Sequence, residues 1–446
     1  MLDLHDKKIG IWGFGLTGQS ALRCIKKYYP SCTIGIYEKR ELNADERALI
    51  EHHGAIPYAP DALEFFLADH DYIIPSPGID VRPYTKYAHK WLCELDLFAT
   101  YWKKPIIAIT GSVGKTTVTH LLSSIIQSQG VKIATGGNIG ICSLDLLEQQ
   151  ENADMVLLEV SSFQLEHVKN FAPTLGIWTN LYRNHLDRHG TVQEYAAAKA
   201  KILAGSQALL PWNLRDQAHY KMGVQHYLSK NKLPDHELQT LSSSARLYFI
   251  ENSVIKCFHN EKLCDLFSLS ECASISFIDN VLTLVAALHL LDIPLSTVAS
   301  ILAHEKLPEH RLEKIAVINS VTYYNDSKAT IPASTLAALD KLQGNSIILM
   351  LGGVSKGVDR HDFIKELCGR VKAIVCFGKE AEQLRAWCIM HDILAFYTSD
   401  VDQACAQARA LSKSGDLILF SPAGASFDLF NNYQERGNYF KKLILG

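Results

Sequence analysis

The sequence predicts an α/β protein of three domains built on largely parallel sheets. Three observations carry that expectation. Apolar runs of strand length alternate with helical patterns through nearly all 446 residues, as expected of buried strands joined by helical crossovers. Two strand-to-helix joints, Gly13–Gly18 and Gly111–Lys115, are Gly-rich turns of the kind that hold phosphates at a helix N-terminus. The length itself suits about three domains.

In chain order, Lys8–Trp12 reads as a strand that enters Gly13-Phe14-Gly15-Leu16-Thr17-Gly18 and then a helix. Thr33–Tyr37 is a second strand ending at Glu38, and Tyr72–Ile74 a third, followed by the breaker Ser76-Pro77-Gly78. Gly13–Gly18 with Glu38 about twenty residues on matches the dinucleotide fingerprint, which makes residues 1–98 a Rossmann-like domain. Such a turn holds any diphosphate, so a diphosphate-bearing substrate, a nicotinamide cofactor and a purely structural turn all remain open here, the first of them favoured. Residues 99–306 form the central domain, with strands before Lys115, at Met155–Val160 and at Leu175–Trp178. Its later part, Trp212 to about Ser274, is the least legible, apart from a hairpin of Arg246–Ile250 and Val254–Phe258 around Asn252. Residues 307–446 alternate again, with strands at Ile347–Leu351, Ala373–Phe377 and Leu417–Phe420, a second Rossmann-like domain.

The densest chemical signal is Pro105-Ile106-Ile107-Ala108-Ile109-Thr110-Gly111-Ser112-Val113-Gly114-Lys115-Thr116-Thr117. It is a shortened Walker pattern, G-x-x-G-K-T, because Ile109 stands where the full pattern asks for Gly. A strand feeding a helix through this turn aims backbone N–H groups and the helix's positive end at one spot. Lys115 would bring charge to the terminal phosphates, and Thr116 a hydroxyl for a phosphate-bound Mg²⁺. The central domain is therefore expected to be a P-loop-type ATPase domain.

The bulk composition narrows the partners. A formal net charge of −3 gives no footprint for nucleic acid. The eleven cysteines are scattered without a C-x-x-C, which favours reduced thiols in a cytoplasm. The first residues do not form a signal peptide, and the longest apolar run, Val281–Leu291, contains His289 and is too short to insert in a membrane.

Further polar clusters fall at expected strand ends, where open α/β sheets place ligands. They are Gly136–Gly140, Glu159–Leu165, Asn180 through His185-Leu186-Asp187, Leu307–Arg311, Asn325–Thr330, Gly352–Gly357 and Ser421–Asp428. Their order and wording resemble the Mur ligases, most closely the D-glutamate-adding branch, from Gly13 to Gly437. The resemblance implies that ATP converts the acceptor carboxylate of UDP-N-acetylmuramoyl-L-alanine into an acyl phosphate, which the amine of D-glutamate attacks. Two anions must meet in line in such a reaction, so cations must cancel their repulsion.

By the same resemblance, Lys115, Lys199, His185 and Arg311 carry the catalysis. ATP is held by Gly111, Ser112, Gly114, Lys115, Thr116, Thr117, Asn280, Arg311 and Asp326. Leu16, Thr17, Arg40, Ser76, Gly78, Asn138, Gln164 and His185 hold the UDP-linked substrate. Lys328, Thr330, Lys356, Ser426 and Tyr433 surround the amino acid, whose two carboxylates suit a pocket of lysines and hydroxyls. Thr116, Glu159, His185 and Lys199 serve two Mg²⁺ ions, Lys199 through a carbamate formed with CO₂. A monomer is expected. The chain departs from the pattern at Val113, where Asn is common, and at Asn184 and Arg183, where many relatives are acidic before the His. Phe427, Tyr433 and Glu38-Lys39 also depart from it. The alternatives are another ligase of this superfamily, such as folylpolyglutamate synthetase, and, from a different class, an NAD-binding oxidoreductase.

Overall fold

The structure is a computed structural model that describes residues 4–217, 223–271, 278–304 and 309–446. The expected domain boundary between 306 and 307, the dipeptide Leu307-Pro308 and part of the poorly legible stretch lie outside the described residues. The fold is α/β, with three sheets distributed over two compact units.

The first unit comprises residues 1–181 and 193–304. Its smaller sheet has four parallel strands, β1 (Lys8–Trp12), β2 (Thr33–Tyr37), β3 (Ile56–Tyr58) and β4 (Tyr72–Pro75), in the order β3-β2-β1-β4. The larger sheet has nine strands. They are β5 (Ile106–Thr110), β6 (Ile133–Gly137), β7 (Met155–Glu159), β8 (Leu175–Trp178), β9 (Gln207–Pro211), β10 (Val224–Ser229), β11 (Leu247–Glu251), β12 (Val254–His259) and β13 (Lys262–Ser268). Their order is β13-β12-β11-β10-β9-β8-β5-β7-β6. The strands from β6 to β11 pair in parallel, and β11-β12-β13 form an antiparallel meander. The β11–β12 hairpin turns through Asn252 (φ 51°) and Ser253 (φ 59°), the left-handed pair that matches the twist of the flanking strands.

The two sheets share one apolar cluster. Ile9, Ile11 and Phe14 pack in the same cluster as Leu95, Phe98 and Trp102, and as Ala108, Val156 and Leu158 from the larger sheet. Arg23 and Lys27, on the helix after β1, pair with Asp145 and Glu148 at the rim of that seam. The boundary expected between residues 98 and 99 falls inside the helix Glu94–Tyr101. The buried face of that helix contributes Leu95, Leu97 and Phe98 to the shared core.

The second unit comprises residues 182–192 and 305–446. Its six strands are β14 (Glu313–Ile318), β15 (Val321–Asn325), β16 (Ile347–Gly352), β17 (Ala373–Phe377), β18 (Ala395–Thr398) and β19 (Leu417–Phe420). They lie in the order β14-β15-β19-β16-β17-β18, parallel except for the β14–β15 hairpin. Every residue of β16, β17 and β19 is buried, as their continuous apolar sequences require of strands covered on both faces.

Candidate active site

In the first unit the phosphate turn connects β5 to the helix Lys115–Ser128. Gly111 (φ 155°) and Gly114 (φ 83°) occupy backbone conformations that side chains rarely adopt. A Cβ on Gly111 would meet Thr179 Oγ1 at 2.0 Å, and one on Gly114 would meet Asn280 Oδ1 at 2.5 Å. The turn is pinned from the end of β8. Asn180 Oδ1 accepts the N–H groups of Ser112 (3.1 Å) and Val113 (3.0 Å), and its Nδ2 donates to Val113 O (3.0 Å). Thr179 Oγ1 donates to the same carbonyl at 3.0 Å.

Two lysines converge beside the turn. Lys115 Nζ donates to Gly111 O at 2.9 Å, and Lys199 Nζ donates to Gly111 O at 3.0 Å and to Thr110 Oγ1 at 3.2 Å. Lys199 is 1% exposed, on the Ala-rich helix Val192–Ala200, and its amine lies 4.7 Å from the Tyr195 ring centroid. Burial pushes its pKa well below the ordinary lysine value, and the neighbouring Lys115 charge pushes it further, against the opposing pull of Glu159. A neutral amine at physiological pH is the nucleophilic form of lysine.

Glu159, the last residue of β7, is 2% exposed. Its Oε1 accepts from Asn138 Nδ2 at 3.1 Å, and its buried Oε2 has no hydrogen-bond partner. A buried carboxylate oxygen left without a donor is costly, and a hard divalent cation satisfies it. No three His, Cys, Asp or Glu side chains cluster as a metal cage among the described residues. The lone buried Glu159 oxygen suits Mg²⁺, which is held by one or two carboxylates together with substrate phosphates and water.

At the Gly13–Gly18 turn, Glu38 Oε2 accepts the Phe14 N–H at 2.8 Å, and Ser76 Oγ donates to Gly13 O at 3.0 Å. A Cβ on Gly18 would meet Gly13 O at 2.1 Å, so the helix is seated directly against the turn. Leu16 is 72% exposed at the helix start. Arg40 forms a two-pronged pair with Glu46 (2.8 and 2.5 Å), whose carboxylate also closes the capping box of the helix Ala44–His52. Both ends of the Gln164 amide are likewise engaged. Oε1 accepts from Ser161, and Nε2 donates to the buried Glu94 at 2.6 Å.

In the second unit, His185 (φ 55°) caps the short helix Leu186–His189. The adjoining Asp187 N–H lies 3.5 Å from Lys356 O. Asp326 is 1% exposed, accepting from Leu312 N–H (3.0 Å) and Ser421 Oγ (2.8 Å). Burial raises its pKa to about 6, against the opposing effect of the Arg311 guanidinium. Lys328 Nζ lies 5.5 Å from the centroid of the Tyr433 ring. Lys356 (φ 53°) and Ser426 (2% exposed) sit on the loops after β16 and β19. Phe427 is 71% exposed.

Residues 109–271 match the Mur ligase middle domain, and residues 310–424 match the Mur ligase glutamate ligase domain. The UDP-N-acetylmuramoylalanine–D-glutamate ligase of Acidobacterium capsulatum is 31% identical, the match covering 100% of this chain and 97% of the relative. The protein of that name from Desulfotalea psychrophila is 30% identical with the same coverage. The chain belongs to the Mur ligase family. Among solved structures, MurF ligase from Thermotoga maritima in complex with ADP is similar in fold (TM-score 0.58, 15% identity, covering 93% of this chain and 95% of that one). Membership in this family makes the chain an ATP-dependent ligase and sets aside hydride transfer as its chemistry.

Within this Mur ligase the first unit brings together Lys115, Lys199, Glu159, Asn138 and Asn280 around the phosphate turn. The second unit holds Arg311 and Asp326 together, and Lys328 with Tyr433. Sequence reasoning named Asn180 only as the start of a polar run, although that amide holds the turn from inside. It missed Arg360 and Arg436 altogether. Both are buried (0% and 1% exposed) and donate to the carbonyls of Gly352, Gly353, Gly424 and Ser327. An arginine in a polar loop or on a charged helix carries no mark of burial in the sequence.

Proposed function

We propose that the chain adds D-glutamate to UDP-N-acetylmuramoyl-L-alanine, using ATP to form an acyl phosphate that the amino acid's amine then attacks. The observation that carries this reading is the meeting of Lys115, Lys199 and Glu159 at the Gly111–Lys115 turn. The turn's N–H groups and Lys115 hold the transferring phosphate, and Arg311 adds positive charge as oxygens gather it. Asn280, against Gly114, and Asp326 hold the nucleotide. Leu16, Thr17, Arg40, Ser76, Gly78, Asn138, Gln164 and His185 hold the UDP-linked acceptor. Lys328, Thr330, Lys356, Ser426 and Tyr433 receive the two carboxylates of D-glutamate.

Thr116, Glu159, His185 and Lys199 would hold two Mg²⁺ ions, which when bound supply positive charge to the phosphate oxygens. The suppressed basicity of Lys199 suits carbamate formation, because only the neutral amine adds CO₂. In this reading residues 1–98 bind the UDP moiety, 99–306 bind ATP, and 307–446 bind the amino acid, in a three-domain cytoplasmic monomer. The test is release of ADP and phosphate by the full chain. Release should require both UDP-N-acetylmuramoyl-L-alanine and D-glutamate, and the product should gain the mass of one glutamyl residue. Turnover with a folate acceptor, or preference for a diamino acid, would move the assignment to another ligase of the superfamily.

A further inference from the structure

The loop after β16, Gly352–Gly357, carries Lys356, and the loop after β19, Ser421–Asp428, carries Ser426. Two backbone hydrogen bonds lace them together, Val354 N–H to Ala425 O and Ala425 N–H to Val354 O, each 2.9 Å. The Arg360 side chain is packed against both loops and fully buried. Its guanidinium donates to Gly352 O and Gly353 O, both at 2.9 Å, and to Glu380 Oε2 at 2.5 Å. The other oxygen of Glu380 accepts the N–H of Ser355, the residue before Lys356, at 2.9 Å.

This arrangement does more than neutralise a buried charge. A guanidinium out of water needs an anion, and the anion supplied here is also tied to the backbone beside Lys356. Lys356 itself is left-handed (φ 53°), a state that a residue with a Cβ keeps only where its surroundings hold it. A Cβ on Gly424 would meet the Arg360 guanidinium at 2.8 Å, so the same side chain also sets the approach of the Ser426 loop. We propose that Arg360 and Glu380 are positioning residues for recognition of the amino acid, fixing the backbone from which Lys356 and Ser426 meet its carboxylates. The inference rests on the assignment of Lys356 and Ser426 to the amino-acid pocket.

The test is steady-state kinetics of the full chain with each of the three substrates varied in turn, for Glu380→Ala, Glu380→Gln and Lys356→Ala. Glu380 is chosen because its side chain is 29% exposed, whereas that of Arg360 is wholly buried. Glu380→Ala should raise KM for D-glutamate by about tenfold or more, the cost of a lost charge-assisted anchor. It should leave kcat and the KM values for ATP and the acceptor within about twofold. Glu380→Gln should have a smaller effect, because its carbonyl oxygen can still accept the Ser355 N–H. If Glu380→Ala does not fold, Arg360→Lys, which keeps the charge and loses the fork, reads the same split. A fall in kcat with all three KM values moving together would mean a general structural role and overturn the proposal. So would a wild-type KM in Glu380→Ala alongside a raised KM in Lys356→Ala. An unchanged KM in Lys356→Ala would overturn the pocket assignment and this inference with it.

Discussion

Replacing Asp326 by Asn tests the electrostatics of the second unit in a quantity that activity does not confound. The carboxyl pKa of about 6 stands about two units above its ordinary 3.8. At about 1.4 kcal/mol per unit, the folded unit carries roughly 3 kcal/mol of strain once Asp326 is ionised. The sign follows from proton binding. Between pH 3.8 and about 6 the folded state holds the proton more tightly than the unfolded state, so stability falls as pH rises through that window. The penalty is about half developed at pH 5 and reaches roughly 3 kcal/mol by pH 7.5. Asn removes the titration and keeps the bonds. Its oxygen can accept from Leu312, and its amide can donate to Ser421 Oγ, which can turn its own proton to Thr335 Oγ1, 2.8 Å away. Amide hydrogen exchange in β16 and β19, normalised to the intrinsic rate at each pH, should show wild-type protection falling about tenfold relative to Asp326→Asn between pH 5 and 7.5. The comparison reads a slope, so any constant effect of the amide cancels. Parallel pH profiles for the two proteins would refute the reasoning.

Lys115→Ala should fold normally and lose roughly 10²–10³ in phosphate release, the usual cost of one donor to developing charge. Near wild-type turnover would end the phosphate-turn argument. Lys199→Ala should lose most activity while retaining ATP binding by calorimetry, and wild-type activity should rise with bicarbonate after CO₂ is stripped. A flat bicarbonate response together with unmodified electron density at the Lys199 amine in a substrate-bound crystal would remove the carbamate. D-glutamate should be strongly preferred over L-alanine and L-lysine, because an amine without the second carboxylate leaves buried donors unpaired. A competition assay with product masses decides it.

The strands were legible wherever burial on both faces made their sequences continuously apolar. Lys8–Trp12, Thr33–Tyr37, Ala373–Phe377 and Leu417–Phe420 fall where their composition places them. β3 and β13 are short or exposed edge strands, and no apolar run marks them. β9 and β10 were not legible because the segments joining these parallel strands to β11 are short 3-10 and helical turns rather than crossover helices of regular length. The phosphate turn was legible because its glycines answer to local geometry, seen in the contacts of Gly111 with Thr179 and of Gly114 with Asn280. The buried arginines were not, because what holds Arg360 is a carboxylate twenty residues away. The boundary expected at residue 98 lies within the helix Glu94–Tyr101, and composition shows where one sheet pattern stops, not whether the next shares its core.

That shared core limits how the N-terminal half can be exchanged. A chimaera that joins residues 1–98 of one ligase to the remainder of another would cut within a helix whose Leu95, Leu97 and Phe98 belong to a single cluster with Trp102 and Val156. The foreign half would arrive with side chains shaped for a different seam, and the ion pairs of Arg23 and Lys27 would face whatever replaced Asp145 and Glu148. The N-terminal sheet of this protein therefore does not move as a cassette. A workable graft carries the segment 94–102 and its neighbours at 144–148 along with the donor sheet, or redesigns that seam as a unit.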